Sequence, residues 1–538
     1  MLLDSGAQYN RATNKGNTPL HTACLKGHRK VARLLLHRGA DREKEMENGA
    51  TPLHLASGNG HVDVVELLLR KGAEKEKVMA NGATPLYIAK TNGHAEVVRS
   101  ILSSFADEYK TKDLDVIQGM LREQLFICLK KGGGDIKSNP VHITVQRDQL
   151  LEGVCSLAGQ EWSGHDGIQV VFEGENSRGD GLRREYLRLV TKEIIDPDRA
   201  LFCEKGQGDQ ACRLQPLPDS DINPDHLSYL EMMGKLIGMV LLHGECMHDQ
   251  VRFTRPFLKQ LLRQPLDVED LRSVDPELYK NKVEFIMKCS EEDLASLELN
   301  FMVEKRMFDE TGDLKEVSLL EGTDGSQTVV TTENRSEYLQ LLCHYLLTSQ
   351  IERQIEAVMN GLLDVIPEDF LMVLNRCLTP EDLDILIAGQ PTLDVDEWRL
   401  HTLYESGYDA DSPQILWFWE LLSEWSHAEL SKLLIFVTGS GSVGPRGFKH
   451  LQGYNQREHK FTIRQGSQQG ENEAWNLPRV QTCFNVLMLP PYLSKEHLRE
   501  KLVQGIMEGS VFDEGAVAEF PVNNALLNPR RRYAEGSV

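Results

Sequence analysis

A 33-residue period runs through the first hundred residues. Thr-Pro-Leu-His stands at 18–21 and again at 51–54, and Thr-Pro-Leu-Tyr follows at 84–87. Gly-His pairs at 27–28, 60–61 and 93–94 keep the same step, as do Gly-Ala pairs at 6–7, 39–40 and 72–73. A fixed step of this length is the mark of a stacked solenoid. Each element has a physical task. Thr18 and Thr51 suit the N-cap of a helix, and the proline after each fits the first helical position, where its missing N–H costs nothing. The Gly-His pair breaks that helix and turns the chain. VARLLL and VDVVELLL then give a second helix with an apolar stripe, ended by Gly39 and Gly72 as left-handed C-caps. ENGATPL and ANGATPL place Asn-Gly at a tight turn between units.

These letters resemble the ankyrin repeat. The resemblance implies an all-α solenoid over residues 1–106, made of three repeats and a partial one in front, LLDSGA at 2–7 being the end of its second helix. Such units cannot bury their apolar faces alone and must stack. The resemblance also implies a protein-binding face, although fold by itself names no partner. From about residue 103 the period is lost. DLDVIQGMLREQLFICL reads as an amphipathic helix and KKGGGDIKSNP as a linker, so 107–140 is expected to join two domains.

The totals bound the rest. A chain of 538 residues exceeds one hydrophobic core and divides into domains. Its 41% hydrophobic and 26% charged residues are ordinary for a soluble globular protein. A net charge of −22, with no strongly basic domain standing out, argues against nucleic acid as a partner. The one basic cluster, Pro529 to Arg532, reads as a solvated tail. No apolar run approaches the roughly 20 residues that span a bilayer, LIGMVLL at 236–242 reading as core helix, and no signal peptide opens the chain. A cytoplasmic setting, or a nuclear one, follows by default. Ten cysteines stand singly and none forms a C-x-x-C pair, which removes the usual zinc and redox spacings; no metal or cofactor is implied. Cys203 and Cys212 bracket a glycine-containing loop, where free thiols are expected over a disulfide.

From Val141 onward helices alternate with a few strands. IQVVFEGE has the apolar density of a buried strand, GLRREYLRLVTKEII has helical spacing, and NPDHLSYLEMMGKLIGMVLLHGE is a long apolar helix. ENRSEYLQLLCHYLLTSQIERQIEAVMNGLLDVIP reads as a further helical stretch stopped at Pro367, and LSKLLIFVTGS leads into a glycine-rich loop. In this order the stretches VVFEGE…GLRREY, INPDHLSYLEMMGKLIGMVLLHG, TTENRSEYLQLL, SPQILWFWELL, LLIFVTGSGSVGPRGFKHL and LPRVQTCFNVLMLPPYLSKEHLREKL resemble the HECT-type ubiquitin ligase domain. The resemblance covers roughly residues 141–515. It implies a multidomain α+β chain, the solenoid being followed by a bilobal HECT domain. A mostly helical N-lobe would span 141–388, a hinge 389–392, and a smaller α/β C-lobe 393–515, leaving 516–538 as a tail. The conjugating-enzyme-binding subdomain would fall near 270–345.

Within LPRVQTCFNVLMLPPY, CFNVLML alternates as a strand. Phe484, Val486 and Met488 then take one face and Cys483, Asn485 and Leu487 the other, with Cys483 as the strand's first residue. The next helix is capped by Ser494 and carries Leu498, Leu502 and Ile506 at helical spacing. These residues alone leave open whether the thiol is inert or reactive. The resemblance implies the nucleophile, since the HECT catalytic cysteine is that of TCFN, here Cys483. It would carry ubiquitin as a glycyl thioester taken from a conjugating enzyme and pass it to a substrate lysine, with the ankyrin repeats holding the protein substrate. Thr482 and Asn485 flank the thiol, either to orient backbone and assist the oxyanion or as ordinary loop hydrogen bonders. Phe512 is the best match to the family's lobe-docking phenylalanine near the C-terminus. The chain departs from the pattern at Gln481, where histidine is frequent, at Ser442, where arginine is usual, and at GENSRGDGLRRE, one residue short with Asp180 for glycine. Two other classes stay open: an ankyrin adaptor whose HECT portion no longer transfers ubiquitin, and a cysteine hydrolase drawing a base from His450, His459 or His497.

Overall fold

The computed structural model describes residues 8–110, 112–129, 141–147, 149–151, 168–174, 180–205, 213–244, 246–247, 251–306, 314–451, 453, 458–466 and 477–511. The linker at 130–140, Cys212, Phe512 and the tail lie outside the described residues, as does the partial repeat at 2–7.

Three helix pairs form the solenoid: α1 (Pro19–Leu25) with α2 (Arg29–His37), α3 (Pro52–Gly58) with α4 (Val62–Arg70), and α5 (Pro85–Thr91) with α6 (Ala95–Tyr109). The caps form as expected. The Thr18 hydroxyl accepts from the His21 amide and the Thr84 hydroxyl from that of Tyr87, with proline at the first position of each helix. Gly39 (φ 87°) and Gly72 (φ 76°) close the second helices in the left-handed region.

The period also hides a set of bonds between repeats. His21 Nδ1 lies 2.8 Å from the Thr18 hydroxyl, while its Nε2 reaches the Ala50 carbonyl of the next repeat at 3.3 Å. His54 does the same with Thr51 at 2.8 Å and Ala83 at 3.2 Å. The Gly-His histidines reach back, His61 to the Leu25 carbonyl at 3.0 Å and His94 to that of Gly58 at 3.1 Å. Burial lowers the pKa of His21 and His54 below their ordinary 6.5. A folded pKa below the unfolded one means that their stabilisation is complete above about pH 6.5 and is lost as the pH falls towards the folded value. The hydrogen-exchange protection factors across residues 18–61 are therefore expected to fall between about pH 7 and 5.5. Much of that pH dependence should vanish in His21→Tyr/His54→Tyr, which copies Tyr87 of the third repeat.

Helix α7 (Leu114–Leu129) follows, then a parallel pair β1 (Val141–Val145) and β2 (Ile168–Phe172), and α8 (Asp180–Ile194). An antiparallel pair, β3 (Phe202–Lys205) and β4 (Arg213–Pro216), precedes α9 (His226–His243) and α10 (Arg255–Leu261). A smaller unit comes next. In it Pro276–Leu278, a π turn at Tyr279–Val283 and Glu284–Lys288 run on as one helix, followed by Glu291–Ser296 and the hairpin β5 (Met302–Arg306) and β6 (Leu314–Ser318). The helical stretch before Pro367 is two helices, α11 (Arg335–Leu347) and α12 (Glu352–Val365), parted by a 3₁₀ turn at Ser349–Ile351. The break has a packing cause: α11 belongs to the core of the smaller unit with Tyr279, Ile286 and Phe301, whereas α12 belongs to the large core with α9. The Leu347 carbonyl at the break accepts from Gln260 Nε2 at 3.1 Å.

Helices α13 (Glu368–Cys377) and α14 (Pro380–Ala388) complete this part. Helix α6 packs on α13, where Arg376 pairs with Asp107 at 2.6 Å and the Cys377 thiol donates to the Ala106 carbonyl at 3.5 Å. One continuous apolar core consequently runs from Leu20 in the first repeat to Ile387.

A separate core begins at Leu393. It contains α15 (Val395–Leu400), α16 (Pro413–Glu424), α17 (His427–Thr438), α18 (Lys495–Val511) and a four-stranded sheet in the order β7-β8-β10-β9. In that sheet β7 (Leu403–Glu405), β8 (Thr462–Gln465) and β10 (Val486–Leu489) are parallel, and β9 (Arg479–Gln481) runs antiparallel to β10. Trp398 anchors the core, stacked on Phe448 with ring centroids 4.6 Å apart and edge-on to Phe461 at 5.1 Å. Among the described residues no helix is long and apolar enough to cross a membrane.

Candidate active site

Cys483 does not begin a strand. Thr482–Phe484 form a 3₁₀ turn between β9 and β10, and β10 starts only at Val486. The expected alternation from Cys483 fails for the same reason: Asn485 sits at φ 54°, in the left-handed region, and resets the direction of the chain. Asparagine tolerates that conformation better than most residues, because its short amide can bond locally. The thiol is therefore carried on a tight turn outside the sheet, half-exposed and free.

Asn485 is fully buried and holds the turn from below. Its Nδ2 donates to the His459 carbonyl at 2.7 Å, its own carbonyl accepts from the Thr462 amide at 3.0 Å, and its amide reaches the Thr482 carbonyl at 3.4 Å. Thr482 thus closes the turn through its backbone. Gly453 passes so close that a Cβ there would stand 2.8 Å from the Cys483 carbonyl. Behind the sheet α18 is capped by Ser494, whose hydroxyl accepts from the His497 amide at 3.2 Å, and Leu498 and Leu502 are fully buried as their spacing implies. Asn485→Ala is expected to strain the left-handed position and leave the His459 carbonyl unpaired, costing about 2 kcal/mol. Asn485→Gly would remove the hydrogen bond without the strain. Urea unfolding of both variants separates the two contributions.

Four of the remaining cysteines differ in their setting. Burial pushes the Cys24 and Cys343 thiols up to about 12 and that of Cys377 to about 11, and it raises Cys203 as well. Such thiols are almost wholly protonated at neutral pH and are poor nucleophiles. Among the described residues no hydrogen bond links an imidazole to the Cys483 thiol. His450 is held by Glu458 at 2.6 Å, His459 turns its ring against Phe484, and His497 packs against Tyr492.

The turn also meets the larger part of the molecule, for α8 packs against Thr482–Phe484. Nearby, Arg184 donates to the Thr438 carbonyl at 2.9 Å, across 254 residues of sequence. The expected hinge region is clamped on both sides. Arg252, buried, donates to Asp384 at 3.0 Å and to the Gly389 carbonyl at 2.9 Å. Beyond it the Gln390 amide donates to the Val443 carbonyl at 2.8 Å. Gly389 (φ 82°) lies so near that a Cβ would be 2.6 Å from both the Ser442 hydroxyl and the Val443 carbonyl. Ser442 is itself buried. Sequence reasoning missed Arg184, Arg252 and Asp384, which carry no local pattern. Residues 175–179, before Asp180, and Phe512 lie outside the described residues.

Residues 188–514 match the HECT-domain (ubiquitin-transferase) family. The chain belongs to the HECT family. Ankyrin-repeat families match at 15–45 and 39–113. Among similar proteins, the E3 ubiquitin-protein ligase HACE1 of Danio rerio is 36% identical over 382 residues, 70% of this chain and 40% of that protein. HACE1 of Homo sapiens is 35% identical over the same shares. The E3 ubiquitin-protein ligase NEDD4 of Homo sapiens is 35% identical over 64% of this chain and 25% of its own length. The chain thus spans well under half the length of these relatives. The HECT match takes in the Cys483 turn, the clamped segment at Gly389 and Gln390, and α8 from Arg188 onward.

Proposed function

We propose that this HECT chain is a ubiquitin-protein transferase with Cys483 as its covalent carrier. The carrying observation is the geometry of the turn: a half-exposed thiol on a 3₁₀ turn, held from below by buried Asn485, in the family's C-terminal sheet. In the first step the Cys483 sulfur attacks the thioester carbonyl on a conjugating enzyme. A new S–C bond forms at Cys483, the old one breaks, and the conjugating enzyme leaves as a thiolate. The exchange is nearly balanced in free energy and needs only a modest thiolate fraction. In the second step a substrate lysine amine attacks, an N–C bond forms, the amine loses a proton, and Cys483 leaves as thiolate. Most of the acceleration here comes from holding amine and thioester together. The ankyrin stack shares a core with the large lobe, so a substrate held by it would sit at a fixed place relative to that lobe.

The smaller unit around Leu271–Leu347 is our candidate for docking the conjugating enzyme. It exposes large apolar side chains at Phe285, Met287, Leu297 and Val329, a composition that interfaces use as anchors. Phe285→Ser is expected to raise the conjugating-enzyme concentration for half-maximal loading about tenfold, with loading at saturation unchanged; quench-flow titration reads both.

The test is a single-turnover reaction of ubiquitin-charged conjugating enzyme with the chain, resolved on gels with and without reductant. A ubiquitin adduct that reductant removes supports the reading. Its absence across a panel of conjugating enzymes, with the chain shown to be folded, would leave an ankyrin adaptor as the better account.

A further inference from the structure

The docking candidate and the thiol belong to different cores, and loading needs the two in register. Among the described residues, the buried apolar side chains of the unit around Leu271–Leu347 do not join those of the large lobe. The chain crosses from lobe to unit after Leu262 and returns through the 3₁₀ turn at Ser349–Ile351. Beside this joint lies a crevice of about 560 Å³, lined from both sides by Arg263, Leu266, Asp267, Cys343, His344 and Ile355. Apolar packing therefore leaves the unit room to tilt, and the tie that holds it is polar.

That tie centres on one carboxylate. Asp270, its side chain fully buried, belongs to the 3₁₀ turn Val268–Ser273 of the smaller unit. Its Oδ2 accepts from the Lys259 ammonium at 2.7 Å and from the Asp267 amide at 2.9 Å, and its Oδ1 accepts from Arg255 at 3.4 Å. Lys259, itself buried, also donates to Asp267 at 2.9 Å. Arg255 and Lys259 stand four apart on one face of α10, whose Phe257, Leu258 and Leu261 lie in the large core. Charges held out of water have no other partner to turn to, so a tilt of the unit would leave them unpaired at high cost. The same short segment holds the other joint. Arg252, three residues before Arg255, grips Asp384 and the Gly389 carbonyl ahead of the C-terminal core. Both joints are thus anchored on Arg252–Lys259.

We infer that Asp270 is a positioning residue for the loading step. It fixes the docking unit on α10, in register with the clamp at Gly389, so that the thioester of a docked conjugating enzyme is presented to Cys483. This role rests on the proposed function above and adds to it what sets the angle of approach. Asp270 is buried, so it acts through the unit it holds and not by contact with ubiquitin. The attacking sulfur and the thioester carbonyl must meet at near-contact distance and in line, and a small tilt at a joint grows along the arm that it turns. Loosening the tie therefore lowers the rate at saturation and leaves the docking face intact.

The test is single-turnover loading of the full chain over a range of ubiquitin-charged conjugating enzyme, using the one that loads the wild type fastest in the panel above. Asp270→Asn is expected to lower the loading rate at saturation about tenfold, while the half-saturating concentration changes less than about twofold. That is the reverse of Phe285→Ser. Lys259→Met/Asp270→Leu replaces the pair by apolar side chains and leaves neither half of it buried alone. Its urea midpoint should stay near that of the wild type, and its saturating rate should fall as in Asp270→Asn. Discharge to free lysine of ubiquitin already on Cys483 should be unchanged in both variants, since that step does not use the docking unit. Unchanged saturating rates in both variants would overturn the role of Asp270. So would a rise in half-saturating concentration alone, which would put Asp270 in the docking face. A discharge rate that falls as far as the loading rate would overturn it too, making the pair a support of the whole fold. A wild type that does not load at all is a separate result, which removes the proposed function and this role with it.

Discussion

Cys483→Ala is expected to abolish the reductant-sensitive ubiquitin adduct and to lower multiple-turnover transfer by at least about 1,000-fold, because it removes the atom that holds ubiquitin between the two steps. Three other thiols are poorly placed to replace it. Cys24, Cys343 and Cys377 are buried, with thiols held mostly protonated at neutral pH. The turn itself should survive, since its shape rests on Asn485 and on backbone bonds to Thr482 and Thr462. Unfolding midpoints of Cys483→Ala and wild type should therefore agree closely, which separates lost chemistry from lost structure. Cys483→Ser sharpens the test. A serine hydroxyl is a far weaker nucleophile at neutral pH, so loading slows greatly, but any adduct formed is an ester that reductant leaves intact. A change from reductant-sensitive to reductant-resistant adduct at this one position would fix the site of attachment. Undiminished loading of Cys483→Ala would move the carrier to another cysteine and overturn the proposed function.

Gly234→Val and Gly361→Val are each expected to destabilise the large lobe by about 3 kcal/mol or more. Helices α9 and α12 touch backbone to backbone there. A Cβ at Gly234 would run into the Val358 carbonyl oxygen, and one at Gly361 into that of Glu231. Rotamer changes cannot relieve a clash with backbone, so one helix must move away, exposing apolar surface on a helix buried along most of its length. Gly238→Ala gives the contrast. Its new methyl would stand 2.6 Å from the Cβ of Val365, a less severe approach than that at the two carbonyls, so about 1–3 kcal/mol is expected. Urea unfolding followed by circular dichroism should rank Gly238→Ala as mild and the two valine variants as severe. A mild Gly234→Val would mean that the two helices do not pack this closely. Because α6 and α7 belong to the same core, the severe variants should also loosen the ankyrin stack.

The sequence by itself determined the solenoid and the order of the HECT elements. The reason is local: Thr-Pro caps, glycines at positive φ and an apolar stripe act within one repeat, and repetition multiplies the signal. It also marked Cys483, through the short motif around it. Only the tertiary structure decided that the thiol rides on a 3₁₀ turn, because the turn depends on Asn485 taking a left-handed conformation that is supported by His459, 26 residues away. The break between α11 and α12 was illegible for a similar reason: both flanking segments favour helix, and what parts them is membership of two different cores. The same holds for Arg252 on Asp384 and Gly389, for Arg184 on Thr438, and for Gly234 against Val358. Each joins residues more than a hundred positions apart. A single arginine or glycine looks alike in sequence whether it faces solvent or a distant carbonyl, and only packing distinguishes the two.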